Sequence, residues 1–219
     1  MRQPKFHISG RQRLRLSYRQ MITAGIILGA LSIILIIYFN LGNPEPVKAA
    51  VNGDFRSVQT GTWSSSSTWQ KFNGTTWIAA PSAPASTDGA ITIEPGHTVT
   101  ITTLVTADQL TIAGGAILNI TNGVFTIANG SNSDLTVNGT FNIAGVVTFS
   151  AGATGVINNS AAITTGAISF GNGAVLNVNG RFRRAGGTIP TGINWSVNDG
   201  GIFEHAINGG NLLAETCWK

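Results

Sequence analysis

The stretch Leu110–Phe149, LTIAGGAILNITNGVFTIANGSNSDLTVNGTFNIAGVVTF, decides the fold. It holds LTI (110–112), LNI (118–120), FTI (125–127), LTV (135–137), FNI (141–143) and VTF (147–149), each with apolar residues at alternate positions and breaks of Gly, Asn or Ser between them. Period-two alternation sends the apolar side chains to one face, so each run reads as a strand of roughly three to five residues with one side inward. The same pattern continues outward as ITI (91–93), VTI (99–101), ISF (168–170) and LNV (176–178). Runs three places apart, Leu118 to Phe141, Phe125 to Val147 and Val147 to Ile168, are separated by 21 to 23 residues. Three short strands per coil of about 20 to 25 residues is the period of a parallel β-helix, in which stacked coils bury a continuous apolar column. Gly and Asn suit the corners because they accept positive φ. A β-sandwich is the weaker reading, since it needs strands of about five to six residues joined by hairpins.

Working outward, composition agrees. The chain has 219 residues, 42% hydrophobic and 10% charged, the reverse of a disordered chain. From Val51 onward it contains 24 glycines in 169 residues and only five Lys and Glu residues, which excludes a helical bundle. A single cysteine, Cys217, excludes an intrachain disulfide and Cys-based zinc sites. The net charge of +4 belongs to the leader. Residues 1 to 50 carry seven Lys or Arg against one acid, and residues 51 to 219 carry six against eight. The body is therefore mildly acidic, and no nucleic-acid partner is expected.

In the leader, Arg2, Lys5, Arg11, Arg13, Arg15 and Arg19 precede the uncharged run Met21–Phe39. Its 19 residues reach roughly 28 Å as a helix, close to the thickness of a bilayer core. The basic flank would stay cytoplasmic and the rest would be exported, extracellular or at the cell surface. Two outcomes stay open. The small residues of Val47-Lys48-Ala49-Ala50 fit a cleaved signal peptide, whereas the length of the run fits an uncleaved anchor, which would give the chain an inner-membrane location and a membrane partner through residues 21–39. The expected organisation is thus a basic segment (1–20), a signal or transmembrane helix (21–39), a linker (40–50), a Trp/Ser-rich cap (51–89) and the β-solenoid (90–219). Pro81, Pro84 and the Asp88-Gly89 pair break the chain between the last two. The tail NGGNLLAETCWK offers no amphipathic helix of useful length to cover a final coil, so a longer reading frame or edge-to-edge self-association is expected.

Gly61–Ile120, with its Trp-containing lead-in, Pro-rich step, Gly96-His97-Thr98-Val99 and Leu110-Thr111-Ile112 ahead of Gly115, resembles the N-terminal β-solenoid region of large secreted surface proteins of Bacteroidetes and relatives. It also looks like a distant version of the extracellular eight-glycine domain family. The resemblance implies an extracellular solenoid, often adhesive or carbohydrate-associated, and it transfers no catalytic residue. Such proteins commonly end in a sorting domain for type IX secretion, and none is expected within residues 1–219.

The candidate sites are few. Trp63, Trp69 and Trp77 are candidates for stacking on an extracellular glycan, against the alternative that they plug the first coil. Arg181, Arg183 and Arg184, the only dense charge on the body, are candidates for contact with an acidic glycan. His97 lies at a strand start with no second His or Cys at metal spacing, and no cofactor is expected. Thr98, Thr100 and Thr102 alternate with apolar residues, but later coils carry Thr or Asn singly, so a polar outer face and no threonine ladder is expected. Triplets such as Asn73-Gly74-Thr75 and Asn138-Gly139-Thr140 arise by chance at this abundance of Asn and Thr. The expected function is an exported, non-enzymatic surface protein with a structural, adhesive or glycan-contacting role. The alternative is a fragment of a parallel β-helix polysaccharide lyase or glycoside hydrolase. That chemistry needs carboxylates and a base converging on one face, whereas Asp88, Glu94, Asp108, Asp134, Asp199 and Glu204 stand singly in the sequence.

Overall fold

The computed structural model describes residues 49–158, 161–189, 194–209 and 212. From Ala50 onward the chain forms one compact unit. It enters through β1 (Phe55–Ser57) and β2 (Gly61–Thr62), passes one 3-10 turn at Ser66–Thr68, and makes a hairpin of β3 (Trp69–Phe72) and β4 (Trp77–Ala79). Winding then begins with β5 (Ile91–Ile93), β6 (Thr98–Ile101) and β7 (Leu104–Ala107). The next coils are β8 (Leu110–Ile112), β9 (Ile117–Ile120) and β10 (Val124–Ile127), then β11 (Leu135–Val137), β12 (Thr140–Ile143) and β13 (Val146–Phe149). They are followed by β14 (Thr154–Ile157), β15 (Ala161–Thr164) and β16 (Ala167–Phe170), and finally by β17 (Val175–Val178), β18 (Arg181–Arg184), β19 (Trp195–Val197) and β20 (Ile202–His205).

These strands stack into three sheets, and the protein is an all-β parallel solenoid. The first face runs β1, β5, β8, β11, β14, β17, β19, the second β2, β6, β9, β12, β15, β18, β20, and the third β7, β10, β13, β16. Every spacing that set the coil length is a true register pair: Leu118 lies beside Phe141, Phe125 beside Val147, and Val147 beside Ile168. The parallel pairing begins earlier than Ala90, because β1 pairs with β5 and β2 with β6. In the first coil the antiparallel hairpin β3–β4 stands on the edge of β1, extending the first face instead of building a third.

Alternation along each strand builds columns inside. On the first face Ile91, Leu110 and Leu135 form one inner column, and Ile93, Ile112, Val137, Ile157, Val178 and Val197 form another. All of these are buried, each worth about 1.5–3 kcal/mol of transfer free energy. At the next position of the first column Gly155 replaces a large residue, because a Cβ there would collide with Leu176 and the ring of Phe149. Phe149 stacks on Phe170 at 4.9 Å, and Trp195 packs edge-on to Phe182 at 4.8 Å, so aromatic rings fill the core of the later coils.

Two corner columns hold the coils together. Gly123, Gly145 and Gly166 stack where β9, β12 and β15 turn toward the third face, and a Cβ on each would strike the backbone oxygen of Thr103, Gly123 or Gly145 in the coil before. Directly after the first-face strands, Asn138, Asn158, Asn179 and Asn198 form an amide ladder: Asn158 Nδ2 donates to Asn138 Oδ1 at 2.7 Å, Asn179 to Asn158 at 3.2 Å, and Asn198 to Asn179.

One expectation is corrected. No helix among the described residues is long and apolar enough to cross a membrane, and the only helix described is the single turn Ser66–Thr68. A span needs about 20 consecutive apolar residues. The membrane partner through residues 21–39, and the inner-membrane location built on it, find no such helix among the described residues and are not carried further. The leader segments 1–20, 21–39 and the linker to residue 48 lie outside the described residues, as do Cys217 and Trp218.

Candidate functional site

The three tryptophans do not share one surface. Trp63 and Trp69 are buried, with ring centroids 5.0 Å apart in an edge-on pair, and Trp63 lies 5.8 Å from Phe125 in the second full coil. Neither ring offers a face to solvent for sugar stacking. Trp77 is half-buried on β4. Phe72 packs against it at 5.3 Å, and the Arg56 guanidinium lies over the ring at 4.4 Å, steered there by its bonds to Gln70 Oε1 at 3.1 and 2.8 Å.

The arginine cluster divides in the same way. Arg181 and Arg183 project from the outer side of β18, where Glu204 of β20 takes Arg181 on one oxygen (Nε at 2.9 Å) and Arg183 on the other (3.3 Å). Arg184 turns inward, buried beside Thr164 and His205 in register, and donates to the carbonyl of Gly187 at 3.0 Å. The outer positive charge is thus partly cancelled by Glu204.

His97 meets Ser57, with Oγ 2.8 Å from Nδ1. The pairing has the residue types of a nucleophile and base, but Ser57 is buried and its oxygen also accepts the Glu94 backbone N–H at 2.9 Å. The hydroxyl ties the first coil to the Glu94–His97 turn of the next.

Two arrangements were not legible in the sequence. The first is the outer side of the third face. There Leu104, Val124, Val146 and Ala167 form one column in register, and Thr106, Thr126, Thr148 and Ser169 form a second beside it. Ser169 Oγ donates to Thr148 Oγ1 at 3.1 Å, and none of the four strands carries a charge. The earlier threonines of β6 have no such continuation, since Thr98 and Thr100 face Ile117 and Asn119. The run VTF had the correct alternation, but only register shows that its threonine stacks on those of neighbouring coils.

The second is a carboxylate pair. Asp108 and Asp134 stand 26 residues apart yet both lie against Gly130 at one corner, where burial first and the charge of Asp134 second push the Asp108 carboxyl above the usual range. Among the described residues no three His, Cys, Asp or Glu side chains gather as a metal set.

No protein-family model matches the chain, and neither a curated protein nor a solved structure is similar to it at a significant level. The parallel solenoid is shown by the register of its stacked strands, and the likeness of Gly61–Ile120 to secreted surface proteins rests on its residues alone.

Proposed function

We propose that this chain is an exported, non-enzymatic surface solenoid that contacts an extracellular glycan through the outer side of its third face. The observation that supports this reading is the pair of uncharged columns there, one of methyl-bearing side chains and one of hydroxyls, repeating at the roughly 4.8 Å spacing of paired strands. A sugar polymer likewise presents C–H patches beside hydroxyls at regular intervals. Apolar contact with a few placed hydroxyl groups is the usual chemistry of a ligand face. The tryptophans favour this face by default, because two are buried and the third has Arg56 on its ring.

The reading is tested with the full chain and its Thr126→Lys/Thr148→Lys double variant, both positions being half-exposed and outward. Retardation in gels containing neutral polysaccharides is expected for the parent and not for the variant, at unchanged melting temperature. Equal retardation of both would move the contact elsewhere. The same incubations report turnover: released product that disappears on changing one acid would instead establish the lyase or hydrolase alternative.

A further inference from the structure

The corner between β10 and β11 holds seven residues, 128–134, against two between β7 and β8 and four between β13 and β14. This longer turn lies beside Asp108 of the coil before. Asp134, 1% exposed, is explained by the fold: Oδ1 accepts the Gly130 N–H at 2.7 Å and Oδ2 the Thr154 N–H at 2.7 Å, which pins the turn to the next coil. Asp54 makes the same pattern in the first coil, accepting Val51 N–H at 2.8 Å and Ala90 N–H at 2.9 Å. Asp108 follows no such rule. It is 9% exposed, and its Oδ1 is fully buried with no hydrogen-bond partner.

A buried carboxylate oxygen without a donor is costly, and a second carboxylate beside it adds repulsion. Gly130 shows how close the two are. Its N–H is held by Asp134 Oδ1, while Asp108 Oδ2, the neighbour of the unpartnered Oδ1, stands so near that a Gly130 Cβ would collide with it. No basic side chain among the described residues pairs with either acid; the ion pairs join Lys71 to Asp88 and Arg181 and Arg183 to Glu204. Burial, and after it the charge of Asp134, push the Asp108 carboxyl up, and a hydrogen bond from its own backbone only partly offsets them.

We propose that Asp108 and Asp134 hold a calcium ion, with neutral oxygens of the 128–133 turn and water completing its shell. The donors at this corner are oxygens, and neither His nor Cys lies between residues 108 and 134, which selects a hard cation over zinc. Irregular turn geometry suits calcium, which tolerates six to eight ligands in flexible arrangements, better than magnesium, which demands near-ideal octahedra. Two carboxylates place the affinity in the weak class, with Kd about 10⁻⁴–10⁻³ M. Gln109, whose amide bonds Ser131 Oγ at 2.9 Å and lies beside Gly130, frames the same corner.

The test uses the full chain and Asp108→Asn, melted in chelator and in calcium about tenfold above Kd, with calorimetric titration of calcium alongside. In the parent, calcium raises the melting temperature by about 3–6 °C, magnesium by much less, and one ion binds per chain. In Asp108→Asn the calcium shift and the titration heat disappear. In chelator that variant melts at or above the parent, because it no longer buries an unpaired carboxylate, so a failure to fold does not account for the loss. A parent indifferent to calcium, or a calcium shift that survives Asp108→Asn, overturns the proposal.

Discussion

The indole N–H of Trp69 donates to the backbone carbonyl of Trp63 at 2.8 Å, deep in the N-terminal end of the core. Trp63 in turn donates its own indole N–H to the carbonyl of Pro84 at 3.1 Å. Each ring is therefore fixed both by packing and by a polar handle, and substitutions separate the two. Trp69→Phe keeps a ring but strands a buried carbonyl, costing about 1–3 kcal/mol. Trp69→Ala loses the ring as well and costs about 3–5 kcal/mol. Urea unfolding midpoints give the order, and a Phe variant as stable as the parent would show that the hydrogen bond contributes nothing.

The glycine column makes a sharper prediction. Gly145→Ala places a methyl on the carbonyl oxygen of Gly123, a backbone atom that cannot step aside without shifting the coil. A loss of about 1–3 kcal/mol is expected. Gly114→Ala, where the nearest atom is 3.9 Å away, should stay within about 0.5 kcal/mol of the parent. Thermal melts of the two variants side by side check the contrast.

Asn158 sits in the middle of the amide ladder, giving to Asn138 and taking from Asn179. Asn158→Ala leaves one acceptor and one donor half-buried without partners, for about 1–3 kcal/mol. Asn158→Asp still accepts from Asn179 but cannot donate to Asn138 Oδ1, so it should fall below the parent as well. Denaturation of both at neutral pH measures the ladder, and an Asp variant equal to the parent would show that the rung at Asn138 is idle.

Glu204 bridges two exposed arginines, and exposed pairs are weak. Glu204→Gln should cost no more than about 1 kcal/mol, and less in high salt, where screening has already removed the attraction. Melts across a salt series decide it. A large, salt-independent loss would mean that Glu204 serves the core of the last coil.

What the sequence determined is local. Alternation in runs such as Leu110–Ile112 and Phe125–Ile127 fixed which side chains point inward, because neighbours on a strand must face opposite sides. The repeat from Leu118 to Phe141 fixed the coil length. Strands without a strong apolar alternation escaped that reading. Ala161–Thr164 is short of large apolar residues, and Arg181–Arg184 hides one inward Phe182 between outward arginines and closes on an inward one. Only the tertiary structure decided what meets across coils. It buried Trp63 under Pro84, stacked Thr126 on Thr148, set Glu204 between Arg181 and Arg183, and brought Asp108 to Asp134. The reason is that contacts between coils depend on the length of every corner between them. One longer turn, such as residues 128–134, changes which residues lie side by side without altering the alternation of any strand.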